Sequence, residues 1–385
     1  MAETLHIAVV GRGLWGAAAA RHLARAGHRV TLIGPDEPPV PFERHDGVFA
    51  SHYDEGRITR VLDADPVWSE LAEASIDRYR AIERDGGVAF FSEVGALMVG
   101  DGGSPWVKRV ARTAATRAVR CERLDGDALA RRFPMLAFQD EARGFHEPAR
   151  AGHVSPRALV AAQTACAVRA GAALRPAIAT RVRETASGVA VETARGTVRA
   201  DRAVVAAGAY APHLVEGAPP LRVFARTVTF FALDEAEAAR LSAMPSIVWR
   251  NGADDPYILP PVRYGDGRLW LKIGGNPTDE LLETPKAISG WFRSGGDTAV
   301  CDHLEALLRS LVPGLRFEAR AQRPCVTAFT ASGRPLVASH GPRITLAYGG
   351  CGAGAKCSDE VGRLAARCAL GDTDPRFAPS CRQAA

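Results

Sequence analysis

The chain lacks runs of like charge, paired Cys-x-x-Cys spacings, internal repeats and low-complexity linkers, and no apolar stretch approaches the roughly 20 residues of a membrane helix. Each absence removes a class of protein. The 48 basic and 43 acidic side chains are interspersed, so the net charge of +5 forms no track for a phosphate backbone and no nucleic-acid partner is expected. Eight cysteines scattered over 385 residues are too sparse for a disulfide scaffold, which points to reduced thiols and a cytoplasmic location. The first apolar segment, Ile7 to Val10, follows Glu3 and stops at a glycine, with neither the length nor the basic leader of a secretory signal. Neither secretion nor membrane insertion is expected. What is there is 47% hydrophobic and 24% charged, a globular composition. At roughly 100–200 residues per domain, the length allows a few compact units around a closed pocket.

His6 to Val10 is a short β-branched run, followed by Gly11-Arg12-Gly13-Leu14-Trp15-Gly16, an Ala-rich helical segment to Ala26, a terminating Gly27 and a second apolar strand, Val30 to Ile33. Strand, tight turn, helix and strand within roughly 30 residues make a βαβ dinucleotide unit. Gly11 permits the turn, Gly13 lets backbone approach a pyrophosphate at the helix N-terminus, and Gly16 lets helix and sheet pack closely. Leu14 and Trp15 complete the loop as candidate cofactor contacts. The acid that usually ends the second strand and binds ribose is replaced by Gly34. Asp36 either reaches the ribose from the loop or is, with Glu37, a solvated charge. Glycine spacing alone does not separate NAD from FAD.

Three later segments bear on that choice: Ser51-His52-Tyr53-Asp54-Glu55-Gly56-Arg57-Ile58-Thr59-Arg60, then Ala203-Val204-Val205-Ala206-Ala207-Gly208-Ala209-Tyr210, then Tyr348-Gly349-Gly350-Cys351-Gly352-Ala353-Gly354-Ala355-Lys356. Together with the glycine loop, and in this order over nearly the whole chain, they resemble the amine-oxidising flavoprotein family of monomeric sarcosine oxidase, N-methyltryptophan oxidase and glycine oxidase, within the D-amino-acid oxidase superfamily. The resemblance implies an α/β chain with a Rossmann-like FAD-binding domain of GR2 type and a sheet-rich α+β substrate domain. The FAD domain would be discontinuous over 1–86, 150–220 and 325–385, and the substrate domain would take 87–149 and 221–324. FAD contacts are implied at Val182, Ala207, Gly208, Gly350, Gly352 and Gly354. Residue patterning predicts helices over Pro66 to Glu83, Val154 to Arg169 and Asp302 to Leu311. It predicts strand over Val88 to Val99, a hairpin over Val182 to Val198, and β-rich stretches over Leu221 to Phe231 and Tyr257 to Ile273.

Oxidation of an amino acid by flavin needs a docked carboxylate, a neutral amine and an acceptor for the electrons of reduced flavin. A guanidinium assisted by a second cation suits the carboxylate, and the resemblance puts Arg60 and Lys356 at those positions. Lys356 is flanked by Gly354, Ala355 and Cys357, unlike an ordinary solvated lysine. Arg57 matches the arginine beside the flavin ring, and its i, i+3 spacing predicts one helical face shared with Arg60. Lys272, inside Leu269-Trp270-Leu271-Lys272-Ile273-Gly274, matches the lysine that promotes reaction with oxygen; the alternative is strand alternation aiming it outward. Cys325 aligns with the cysteine that carries covalent flavin, and an inert core thiol is its rival reading. Tyr257 matches a pocket tyrosine. Tyr53 and Asn276 stand where the family has histidines, and Ala353 and Ala355 replace larger side chains, so a substrate bulkier than sarcosine is expected.

The implied activity is oxidation of a secondary-amine amino acid (an N-substituted glycine, N-methyl or cyclic imino acid) by hydride transfer to flavin N5, with O2 reduced to hydrogen peroxide. The implied partners are a small amino acid and O2, with no metal, in a monomer or weak homodimer. A flavin dehydrogenase with another acceptor, a nicotinamide dehydrogenase and a catalytically silent dinucleotide-binding protein are the competing readings.

Overall fold

The strand His6–Val10 is buried on both faces: Ile7 and Val9 enter one apolar core, Ala8 and Val10 another. Such two-sided burial suits a parallel strand in the interior of a sheet. In the computed structural model, which describes residues 4–38, 44–45, 47–275 and 277–378, this strand is fourth of six. The order is Leu336–His340, Ile344–Tyr348, Arg202–Val205, His6–Val10, Arg29–Ile33 and Ala173–Arg175. All neighbours pair in parallel except the hairpin of the first two. Helices Leu14–Arg25, Pro66–Gly86, Pro156–Arg169 and Ser358–Ala369 cover one face, and the antiparallel strands Ala179–Thr185, Gly188–Thr193 and Val198–Ala200 cover the other. One buried carboxylate ties the four helices together. Asp359 accepts from Arg21 at 2.6 Å, Arg78 at 2.5 Å and Gln163 at 2.8 Å, so each helix contributes one member.

A second sheet has eight strands: Ala319–Phe329, Arg222–Leu233, Leu269–Gly274, Tyr257–Arg263, Ser246–Arg250, Ala96–Asp101, Ala142–Glu147 and Glu122–Leu124. It is antiparallel apart from the pairing of Ser246–Arg250 with Ala96–Asp101. Leu271 and Ile273 pack with Leu304 and Leu308 of the helix Thr298–Leu311. Lys272, between them, therefore points to the opposite face, in register with Phe230 on one neighbouring strand and Leu259 on the other. Strand alternation turns this lysine into the protein, where it is fully buried.

Three elements depart from the sequence reading. Arg57 to Thr59 is a strand pairing with Gly152–Val154, not a helix. Arg57 and Arg60 therefore do not share a helical face, because side chains an odd number of residues apart along extended chain point to opposite sides. Val154 belongs to that pairing strand, and its helix starts only at Pro156, where Ser155 caps the Ala158 N–H. The helix expected from Asp302 begins at Thr298, because Asp297 accepts from the Ala299 and Val300 N–H groups.

Candidate active site

Gly11 has φ +113, and a Cβ there would lie 2.3 Å from the Ala206 carbonyl oxygen; at Gly16 it would lie 1.8 Å from the Gly11 oxygen. Only glycine fits at either position. Gly13 precedes the helix Leu14–Arg25, whose N-terminus has no side-chain cap, so its first N–H groups remain available to an anion. At the end of the second strand, a Cβ on Gly34 would meet the Arg12 nitrogen at 2.8 Å, which explains the missing acid. Arg12 itself pairs with Asp36 at 2.7 Å, and Asp36 is 69% exposed.

A cavity of about 1500 Å³ extends from this loop. Gly11, Gly13, Leu14 and Trp15 line it, as do Tyr53, Arg57, Arg60, Ala207, Gly208, Tyr257, Cys325, Gly350, Gly352, Gly354 and Lys356. The Trp15 indole donates to the Gly354 carbonyl at 2.9 Å and so fixes the C-terminal glycine turn against the N-terminal one. Gly16, Asp36, Val182 and Lys272 do not form its wall. Asn276 lies outside the described residues.

Two clusters of charge meet this cavity. In the first, the Asp54 carboxylate accepts from Lys272 Nζ at 2.5 Å and from the Tyr264 hydroxyl at 2.8 Å, and it pairs with Arg57. Lys272 also donates to the Gly56 carbonyl at 2.7 Å, with the Phe230 and Tyr257 rings 5.7 and 5.6 Å away. Burial and the neighbouring Arg57 guanidinium lower the Lys272 pKa well below that of a free lysine. Cys325 Sγ lies 3.5 Å from Arg57 Nη2, and burial pushes the Tyr257 phenol up to about 12, so it stays protonated.

In the second cluster, Asp63 Oδ2 accepts from Lys356 Nζ at 2.7 Å and from Arg60 Nη2 at 3.1 Å. Burial opposes ionisation of Asp63, but Lys356 and Arg60 outweigh it and hold the carboxyl below its ordinary range. Behind them, Glu147 accepts from the Val61 and Leu62 N–H groups at 3.0 Å each. Burial nevertheless raises its pKa to about 7. Beside the glycine loop, burial, with Arg157, Arg12 and Arg57 nearby, lowers His52 to about 3 and keeps it neutral.

The sequence reading does not single out Asp54, Asp63 or Glu147. The first two carried a signal: Asp54 and Asp63 stand three residues outside Arg57 and Arg60 in a symmetric Asp-x-x-Arg-x-x-Arg-x-x-Asp spacing. Glu147 carried none, since its role depends on a strand end that meets Val61 only in the folded chain.

A glycine turn at a helix N-terminus, opening into a deep cavity walled by a second glycine turn, defines a dinucleotide-binding protein. The chain belongs to the DAO family, described as FAD dependent oxidoreductase, which it matches over residues 6–368. It is 29% identical over 381 residues to monomeric sarcosine oxidase of Streptomyces avermitilis, covering 97% of this chain and 95% of that one. It is 28% identical over 315 residues to N-methyl-L-tryptophan oxidase of Salmonella arizonae, with 80% and 78% covered. Glycine oxidase from Geobacillus kaustophilus superposes with a TM-score of 0.76 at 21% identity, each chain covered in full, which shows the common fold. The cofactor is therefore FAD, and the glycine cradle, the uncapped helix end and the cavity volume fit it. Among the described residues, no group of side chains is placed to hold a metal and no helix is long and apolar enough to cross a membrane.

Proposed function

We propose that the protein oxidises the C–H bond beside a secondary amine in an amino acid, with Arg60 and Lys356 docking the substrate carboxylate. The observation that carries this reading is the convergence of these two cations on one point of the cavity wall. FAD, once bound, supplies the two-electron acceptor. It would rest on the turns at Gly11, Gly13 and Gly350 to Gly354, beside Arg57 and Cys325, and Cys325 is the candidate for a covalent link. A division into an FAD-binding part over 1–86, 150–220 and 325–385 and a substrate part over 87–149 and 221–324 accords with this placement.

The chain's own residues then do three things. Arg60 and Lys356 orient the carboxylate, and with it the amine. The largely buried walls and the positive field of Arg57, Arg60 and Lys356 favour the neutral amine, which is the form that donates hydride. Met98, Trp106 and Val248, which also line the cavity, would offer apolar surface to an N-substituent or side chain larger than a methyl group. Relatives named for sarcosine and N-methyl-L-tryptophan support this substrate class.

Oxygen as the final acceptor, giving hydrogen peroxide, is supported by the buried Lys272 cation, which would stabilise negative charge developing on O2. A second reading draws on the same residue. Lys272 is held by Asp54 behind the cavity wall, an arrangement that favours a dehydrogenase with another acceptor. Anaerobic reduction followed by air separates them: rapid return of the oxidised flavin spectrum with peroxide supports the oxidase, and slow return supports the dehydrogenase.

The docking reading is tested with a panel of N-alkyl and cyclic imino acids. Arg60→Met and Lys356→Met should each raise KM roughly tenfold or more. Unchanged kinetics in both variants would remove the docking role.

A further inference from the structure

The carboxylate site of the proposed reaction already contains a carboxylate. Asp63 places one oxygen, Oδ2, between the two cations, 2.7 Å from Lys356 Nζ and 3.1 Å from Arg60 Nη2. Its other oxygen turns away and accepts from the Asp65 N–H at 3.1 Å. The contact does not exhaust the cations. Arg60 Nε is buried without a hydrogen-bond partner, and an ammonium has three donors of which Asp63 engages one. Arg60 and Lys356 both line the cavity, so the donors that Asp63 does not engage are placed to serve an acceptor from a ligand.

We propose that Asp63 is a resident counter-anion that sets the charge of the substrate site, making it specific for an amine bearing a single carboxylate. Arg60 and Lys356 supply two positive charges and Asp63 removes one, so while Glu147 behind them is protonated, below about pH 7, one substrate carboxylate brings the cluster to neutrality. A second anionic group on the ligand would find no further positive charge within this cluster, and among the other cavity arginines Arg12, Arg226 and Arg250 are already paired with Asp36, Asp279 and Asp255. Without Asp63 the same two cations would attract dicarboxylates. The spacing that puts Asp63 three residues beyond Arg60 builds the selectivity into the same segment as the docking arginine.

The proposal rests on the docking role of Arg60 and Lys356, and the test separates the two. Butyrate and glutarate, which differ by one terminal carboxylate, are titrated calorimetrically into the FAD-loaded protein. The wild type should prefer butyrate. Asp63→Asn, which keeps the shape and loses the charge, should bind both more tightly and glutarate by roughly tenfold or more, reversing the preference. Asp63→Ser serves the same purpose where the Asn variant does not fold. If the charge-free variant binds both ligands as the wild type does, or more weakly, the counter-anion role is overturned. If Arg60→Met and Lys356→Met lose affinity while the Asp63 variants change nothing, docking stands and only the specificity role of Asp63 falls. If the two methionine variants also bind normally, docking itself is lost.

Discussion

Asp54 and Asp63 each sit between an arginine of the same short segment and a lysine brought from far along the chain, yet they stand in different surroundings. Asp54 meets Lys272, Arg57, the Tyr264 hydroxyl and the Glu55 N–H, and Lys272 is wholly buried and absent from the cavity wall. Asp63 meets Lys356 and Arg60 on the wall itself, with a donor of Arg60 left over. The first cluster is closed and the second is open. The difference teaches what each is for: a carboxylate whose acceptor sites are filled from inside the protein holds cations in position, whereas one that leaves donors unspent shares them with a ligand.

The sharpest way to break the comparison is to remove the carboxylate from each cluster. Asp54→Ala leaves the Arg57 guanidinium without a counter-charge and the buried Lys272 amine without its principal partner, and should cost about 3–5 kcal/mol of stability. Asp63→Asn leaves cations that the cavity admits water and anions to, and should cost less than half of that. Urea denaturation of the two variants reads the difference directly. Equal losses would mean that both clusters are equally closed.

Glu147 sharpens the open side. Its folded pKa of about 7 lies above the ordinary 4.5, because burial disfavours the charged form. A raised carboxyl pKa contributes stability that is complete below about pH 4.5 and is lost as pH rises through about 7, a difference of roughly 3 kcal/mol. The same ionisation adds a negative charge beside Arg60 and Lys356, so carboxylate affinity should fall as pH rises through about 7. Measured between pH 5 and 8, stability and ligand affinity of the wild type should therefore decline together, and Glu147→Gln should flatten both profiles. A profile that survives the substitution would assign the titration to another group.

Much of this was legible in the sequence, and the pattern of success is physical. The βαβ unit was readable because a strand, a glycine turn and a helix lie within one short segment and each carries its own local signal. Helix starts were missed by a few residues where a capping side chain, such as Asp297, acts before the apolar pattern begins. The segment from Arg57 to Arg60 misled because i, i+3 spacing reads as helix locally, whereas pairing with Gly152–Val154 makes it extended. That extension sends Arg57 toward Lys272 and Arg60 toward Lys356, so the same misreading hid both carboxylates. Partners such as Tyr264 for Asp54 or Val61 for Glu147 leave no trace in a local pattern, since only the assembled sheets bring them together.

The smallest effect falls on the hydroxyl that completes the closed cluster. Tyr264 is buried and donates to Asp54 Oδ1 at 2.8 Å, while Lys272 occupies the other oxygen. Tyr264→Phe keeps the ring, with its edge-on contact to Phe230 at 5.5 Å, and removes one donor to a charged acceptor. Hydrogen bonds to charged groups contribute about 1.5–3 kcal/mol, so the variant should lose roughly 2 kcal/mol of stability. Its effect on carboxylate affinity should be nil, because Asp63, Arg60 and Lys356 keep their contacts. Full stability would show that the hydroxyl contributes nothing to the closed cluster, and a changed butyrate affinity would show that the two clusters are coupled through the segment they share. The closed one would then be part of the binding site rather than its support.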